Sequence, residues 1–244
     1  MTTSNRLGRP TALATILASA LLAPVASQAA DTSLAFNIGA VSDYRYRGIS
    51  QTRLKPAIQG GLDLTLPQGF YAGAWASTIK WIDDAGGNAN VEIDLYGGWK
   101  GEVAKDLTLD VGALTYQYPG NDLDPSANTT ELYAALTYAM FTLKYSHSVT
   151  NLFGFADSKG SGYVDLSASF DVGNGVILAP HIGHQTVRHL GDASYTDYSV
   201  TISKDFNGLV PSLAVVDTDT DVYVGPNNKN LGRAGVVLGV KYNF

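Results

Sequence analysis

From Leu34 to the final Phe244, apolar side chains recur at every second position in run after run. Alternation of that period puts successive side chains on opposite faces of an extended strand. Leu34, Phe36, Ile38 and Ala40 alternate with Ala35, Asn37 and Gly39, and Ile58, Leu62, Leu64 and Leu66 oppose Gln59, Asp63 and Thr65. Val164, Leu166, Ala168, Phe170 and Val172 oppose Asp165, Ser167, Ser169 and Asp171. Each run therefore has one greasy and one polar face, and the chain must fold as sheet. No run approaches the roughly 18 consecutive apolar residues that a membrane-spanning helix needs.

One apolar face per strand suits a soluble sandwich as well as a barrel in lipid, so the connections decide. Short turns at Pro67-Gln68-Gly69, Ala139-Met140 and Gly173-Asn174-Gly175 alternate with long polar segments such as Pro119–Asn128, Val149–Ser161 and Asp217–Arg233. Outer-membrane barrels have this asymmetry, with short turns at the periplasmic end and long loops outside. The runs number twelve, which leaves both termini on the short-turn side. Ten is the alternative, because Leu209–Val216 contains Pro211, and Val176–Val187 contains Pro180 and puts His184 on its apolar face. In Leu107–Tyr118 the apolar face changes near Ala113, which suggests a bulge.

Aromatic residues gather near strand ends, as two interfacial girdles would. Phe36, Phe70, Tyr71, Trp99, Tyr138, Phe141, Phe170 and Phe206 lie near the turns. Tyr44, Tyr46, Trp75, Trp81, Tyr116, Tyr118, Tyr145, Tyr163 and Tyr198 lie near the loops. Hydrocarbon has no partner for an unpaired sheet edge, so the strand at Leu34 must close against the last one, Ala234–Phe244.

The first residues read as an export signal. Arg6 and Arg9 precede the Ala/Leu-rich stretch Thr11–Ala23, and Ser27-Gln28-Ala29 has small residues where a signal peptidase inspects the chain. We place the cut after Ala29, giving a signal peptide over 1–29 and a barrel over 30–244. Removing two arginines and no acids moves the net charge from −6 to −8. An acidic chain without a basic cluster argues against nucleic acid as a partner. With no cysteine, the fold has no covalent staples.

At the other end, Val236, Leu238, Val240, Tyr242 and Phe244 form one apolar stripe that stops on a terminal aromatic. Val240, Tyr242 and Phe244 resemble the signal read by the barrel-assembly machinery of bacterial outer membranes. The stretch from Asn37 through Asp43-Tyr44-Arg45-Tyr46-Arg47-Gly48 to Thr52, followed by Pro56-Ala57-Ile58-Gln59-Gly60-Gly61-Leu62-Asp63, is similar to the opening of a bacterial family of TorF-like porins. Gly69–Ser77 and Glu92–Trp99 continue the likeness. The resemblance implies an outer-membrane barrel with a transport role and supplies no catalytic residues.

If the apolar stripes meet lipid, the polar faces line a lumen. The expected lining includes Asp43, Arg45, Arg47, Asp63, Lys80 and Glu92. It continues with Asp94, Lys100, Asp110, Glu131, Lys144 and Asp165, and beyond them Asp171, Asp197 and Lys241. Twelve staves imply a narrow or partly plugged bore. Arg45 and Arg47, opposed by lumen carboxylates, would form a constriction that sorts solutes by charge; the plainer alternative is that mixed charges pair and fill the interior. The expected partners are small hydrophilic solutes, outer-membrane lipid and lipopolysaccharide, with no cofactor and no metal.

Two other classes of function stay open. One is a barrel-embedded lipid hydrolase using residues near His147, Ser146 or His181; the other is a closed structural or adhesive barrel acting through its loops. Sequence neighbours on a strand point apart, so Ser146 and Ser148 cannot use His147 as a base, and His181 and His184 cannot share a metal. Asp217, Asp219 and Asp221, with Asp83, Asp84, Asp122, Asp124, Asp157 and Asp192, read as an acidic outer rim.

Overall fold

The computed structural model describes residues 32–244. The expected signal peptide and its cleavage point lie outside the described residues. The barrel staves are β1 (Ser33–Val41), β2 (Ala57–Thr65), β3 (Phe70–Thr78), β4 (Val91–Ala104), β5 (Leu107–Gln117) and β6 (Thr129–Tyr138). They continue with β7 (Phe141–Ser148), β8 (Gly162–Ala168, resuming at Phe170–Asp171), β9 (Val176–Thr186), β10 (Tyr195–Lys204), β11 (Leu209–Thr218) and β12 (Gly235–Asn243). Every stave pairs antiparallel with its sequence neighbours. β12 returns to β1, from Asn37 opposite Asn243 to Val41 opposite Gly239, and the sheet has no free edge. No helix among the described residues is long and apolar enough to cross a membrane, which says nothing against strands that do so.

Both proline-containing runs are full staves, so the count is twelve and not ten. Pro211 stands opposite Val240 in an unbroken ladder. Pro180 stands opposite Val200 on one side. On its other side β8 breaks at Ser169, where register resumes only at Phe170 opposite Leu178. A proline has no N–H to give, so one ladder lapses locally while the stave survives.

The bulge expected near Ala113 is not there. Register through β5 runs without a shift past Ala113, and the irregularity lies between Glu102 and Ala104 in β4. What changes near Ala113 is chemistry, not phase: Leu114 and Tyr116 on the inward face pack into an interior cluster.

Outside, the apolar stripes are open to the surroundings: Leu34 and Ile38 are each 54% exposed and Val236 62%. A contiguous belt of this kind far exceeds the few hundred Å² that soluble monomers tolerate. Phe36, Phe70, Tyr138, Phe141, Phe206, Tyr242 and Phe244 ring the turn end on this outer surface; of the girdle expected there, Trp99 and Phe170 are only partly exposed, and Tyr71 turns inward to Asp110. At the loop end only Tyr145 and Tyr198 stand outward and exposed. Tyr44, Tyr116, Tyr118 and Tyr163 are buried, because a segment folded into the barrel mouth gives them a surface to pack on.

Candidate functional site: the lumen and its inward hairpin

β1 does not carry on through the arginines. Beyond Val41 the chain turns into the barrel, and Arg45–Tyr46 pairs with Ile49–Ser50 as a small hairpin. Arg47 and Gly48 form its two-residue turn, with φ of 45° and 80°. Positive φ at both central residues is the type I′ pattern that matches strand twist. The turn is tightly seated: a Cβ on Gly48 would lie 2.4 Å from Thr218 Cγ2 and 2.8 Å from Asp197 Cβ.

Asp43 and Arg45 hold the base of this hairpin. Arg45 Nε donates to Asp43 Oδ2 at 2.5 Å, and Ser50 Oγ donates to Asp43 Oδ1 at 2.5 Å. Arg45 Nη1 reaches the carbonyls of Gly48, Leu231 and Arg233 at 2.9–3.0 Å, tying the hairpin to the loop before β12. The guanidinium is used as a structural clamp on main-chain oxygens.

Arg47 crosses to the far wall. Its two terminal nitrogens donate to Glu131 on β6 at 3.0 and 2.7 Å, and Nη1 also reaches Gln185 on β9 at 2.6 Å. The cation lies 4.1 Å from the ring centre of Tyr163 and 4.9 Å from that of Tyr46. Forked arginine–carboxylate geometry of this type is directional as well as strong. The side chains of Arg47 and Glu131 are only 7% and 3% exposed. Burial would lower the Arg47 guanidinium, but Glu131 together with Tyr46 and Tyr116 outweighs it and holds the group well above its ordinary value.

Aromatic rings fill the space between hairpin and wall. Tyr46 meets Tyr116 edge to face at 5.4 Å with their hydroxyls 2.6 Å apart, and Tyr44 packs on Trp75 at 5.4 Å. Tyr44 and Tyr118 donate to the two oxygens of Glu92 at 2.5 and 2.8 Å. Tyr118, outside the staves, is pushed well above its ordinary value by burial and then by Glu92 and Asp94. Asp94 stands between Trp75 and Tyr116 in register, its Oδ1 buried without a hydrogen-bond partner.

Deeper in the lumen a second polar layer follows. Tyr71 donates to Asp110 and also meets the Tyr133 hydroxyl, Tyr96 donates to Asp63, and Lys144 Nζ lies 4.2 Å over the Tyr133 ring. Gly73 opposite Tyr96 and Gly112 opposite Tyr133 leave room for these rings to lie flat along the wall. Lys100 faces Asp110 across the β4–β5 ladder, and His181 Nε2 lies 2.8 Å from Asp165 Oδ2.

Most of the expected lining therefore points inward from the staves: Asp63, Glu92, Asp94, Lys100, Asp110, Glu131, Lys144, Asp165, Asp197 and Lys241. Three more reach the lumen from a hairpin and not from a stave, and two leave it. Asp43, Arg45 and Arg47 belong to the inward hairpin, because the turn at Arg47-Gly48 ends the alternation. Lys80 lies beyond the end of β3, next to the short helix Trp81–Asp84, and pairs with Asp83 in the outer loop. Asp171 is exposed and caps the following turn through Gly173 N at 2.8 Å. The outer acidic residues are partly neutralised, since Asp83 pairs with Lys80 and Asp84 with Arg53. Gln185, Tyr44, Tyr116, Tyr118 and Tyr163 were not expected in the lumen. The signal for them was the Tyr46-Arg47-Gly48-Ile49 turn inside a supposed strand.

Residues 25–244 match the model of a family described as a bacterial protein of unknown function (Gcw_chp). The chain belongs to that family. No curated protein sequence matches it. Among solved structures, this Gcw_chp chain is similar to the NanC porin in a rhombohedral crystal form, with a TM-score of 0.55 and 12% identity over 86% of this chain and 99% of that one. It is also similar to an outer membrane channel from Pseudomonas putida F1, with a TM-score of 0.52 and 13% identity over 91% and 98%. At such identities the likeness establishes the shared barrel fold.

Proposed function

We propose that the protein is a narrow outer-membrane channel for small hydrophilic solutes, with its inward hairpin as the constriction. The observation that supports this best is the Arg47–Glu131 bridge, thrown across a polar bore inside a closed barrel whose exterior is apolar. Fixed charges would set which solutes enter, and the space beside the hairpin would set their size. Inward carboxylates at Asp63, Glu92, Asp94, Asp110, Glu131, Asp165 and Asp197 outnumber inward cations at Arg47, Lys100, Lys144 and Lys241, which favours cations over anions. The solved porin and channel of like fold support the same reading.

The rest of the proposal follows from the sequence. Residues 1–29 are a cleaved export signal, Val240, Tyr242 and Phe244 are read by the assembly machinery, and the family is of the TorF-like porin kind. Lipopolysaccharide surrounds the barrel. No cofactor takes part and no substrate is turned over. In support, Ser146 and Ser148 are buried while His147 is exposed on the other face, and the Nε2 of His181 is occupied by Asp165 and the Tyr163 hydroxyl.

The buried hairpin also favours a second reading, a closed barrel that acts through its loops. Planar-bilayer recording of the purified protein separates the two. Discrete ohmic steps with cation preference support the channel. Silence at every voltage removes it and leaves the closed barrel.

A further inference from the structure

On the outer rim the chain builds a cationic hollow outside the lumen. β7 presents Phe141, Leu143, Tyr145 and His147 on its exposed face, so His147 extends a lipid-facing stripe beyond the last interfacial ring. Above it the loop before β8 and the loop after β9 meet. They frame an open hollow of about 330 Å³ lined by His147, Val149, Asp157, Lys159, Gly160, Arg188 and His189.

This hollow is shaped, not left over. Arg188 is anchored by its backbone N–H to Ser161 Oγ at 3.0 Å, and Ser161 is itself buried. Among the described residues its Nη1 has one hydrogen-bond partner, the Lys159 carbonyl at 3.3 Å. Gly160, at φ +90°, lets the guanidinium lie against the loop, where a Cβ would stand 2.7 Å from Nη1. His189 Nδ1 lies 2.9 Å from the Asp157 carbonyl oxygen, which fixes the ring at the cavity edge. Neither Arg188 nor Lys159 has a carboxylate partner among the described residues, although Arg45, Arg47, Arg53 and Lys80 all do. Asp157 is the one acid in the lining and is almost fully exposed.

Two permanent cations and two imidazoles thus converge on open space in a chain of net charge −6. Below lies the row of Tyr145, Val164 and His184, and beneath it Leu143, Leu166 and Ile182, the apolar members each about half exposed. Cationic donors over an apolar wall suit one class of ligand, an acyl-chain lipid with a phosphate on its headgroup. We propose that this rim holds the phosphate of an outer-leaflet glycolipid and so ties the barrel to its lipid annulus. The inference rests on the outer-membrane part of the function proposed above, and not on conduction.

The test uses the full barrel in neutral detergent with mixed micelles containing either lipid A with its phosphates or the same lipid enzymatically dephosphorylated. The parent protein is expected to favour the phosphorylated lipid. Lys159→Gln and Arg188→Gln should each weaken that binding about fivefold and together about 25-fold, as expected for two surface cations acting independently. Asp157→Asn, which removes the opposing charge, should tighten it. Equal binding of the two lipids, or a double variant that binds as well as the parent, would overturn the proposal. Displacement of the lipid by an equal concentration of inorganic phosphate would overturn it too, by identifying a free-phosphate site. Loss of the gel shift between heated and unheated samples marks any variant that has not folded. Asp157→Asn then decides the matter, because tighter binding upholds the site and unchanged or weaker binding removes it. Missing conductance in the same preparation would remove the channel and leave this site standing.

Discussion

Arg47 and Glu131 are 84 residues apart in sequence and meet through two parallel hydrogen bonds across the mouth of the barrel. Both are nearly sealed from solvent, so each charge depends on the other for its stability there. Removing one partner of such a pair strands the second, at a cost of about 3–5 kcal/mol. Glu131→Gln is therefore expected to release the hairpin and raise single-channel conductance above that of the parent. Conductance and selectivity identical to the parent would mean that the hairpin does not set the bore.

Gly48 offers the same test without touching charge. An alanine there would meet Thr218 and Asp197 at distances no Cβ adopts, in a left-handed conformation that costs about 1–2 kcal/mol for an L residue. Gly48→Ala should reproduce the larger conductance of Glu131→Gln while keeping the parent's cation preference. Recording both variants in the same salt gradient checks this.

Alkaline pH should loosen the mouth before it opens the wall. The folded chain holds the Tyr118 phenol well above its ordinary value of 10.0, through burial and then Glu92. An unfolded tyrosine gives up its proton near pH 10, so above that pH the folded form binds more protons and stability falls as pH rises. Below about pH 10 this group contributes no slope. Thermal melts across that range should decline less steeply in Tyr118→Phe, which has no proton to lose. Equal slopes would place the alkaline sensitivity elsewhere.

Phe244 closes the seam. Its backbone N–H and C=O exchange bonds with Phe36 at 3.0 and 2.9 Å, and the two rings stack with centres 5.9 Å apart. Phe244→Ala keeps the ladder and loses a ring pair worth about 0.5–1.5 kcal/mol. Deleting Phe244 also removes both backbone bonds. The unheated, compact gel band is expected to vanish at a lower temperature in the substitution and at a lower one still in the deletion.

Much of this fold was legible because a strand records its environment at every second residue. The stripes from Leu34 and from Val236 fixed the inner and outer faces and the seam, and inward acids such as Asp110 and Glu131 followed by parity. Parity also misled at Asp43, Arg45 and Arg47, which continue the polar phase of β1 although the chain has already left the wall. The local turn chemistry at Arg47-Gly48 outweighed the period there. Tyrosine was ambiguous for a different reason. A ring with a hydroxyl near a strand end suits a membrane interface or a polar interior equally well, and only the inward hairpin decided for Tyr44, Tyr116 and Tyr118. Pairings such as Arg47 with Gln185 depend on loops crossing the bore and leave no periodic trace in sequence.

The rings at the turn end face outward, whereas at the opposite end most are drawn inside. Aromatic side chains hold a barrel at a fixed depth where they meet headgroups. This barrel is consequently moored chiefly from one leaflet, like a post driven deepest into one bank. A thicker or thinner bilayer would be accommodated at the loop end, leaving the seat of the turns where it was.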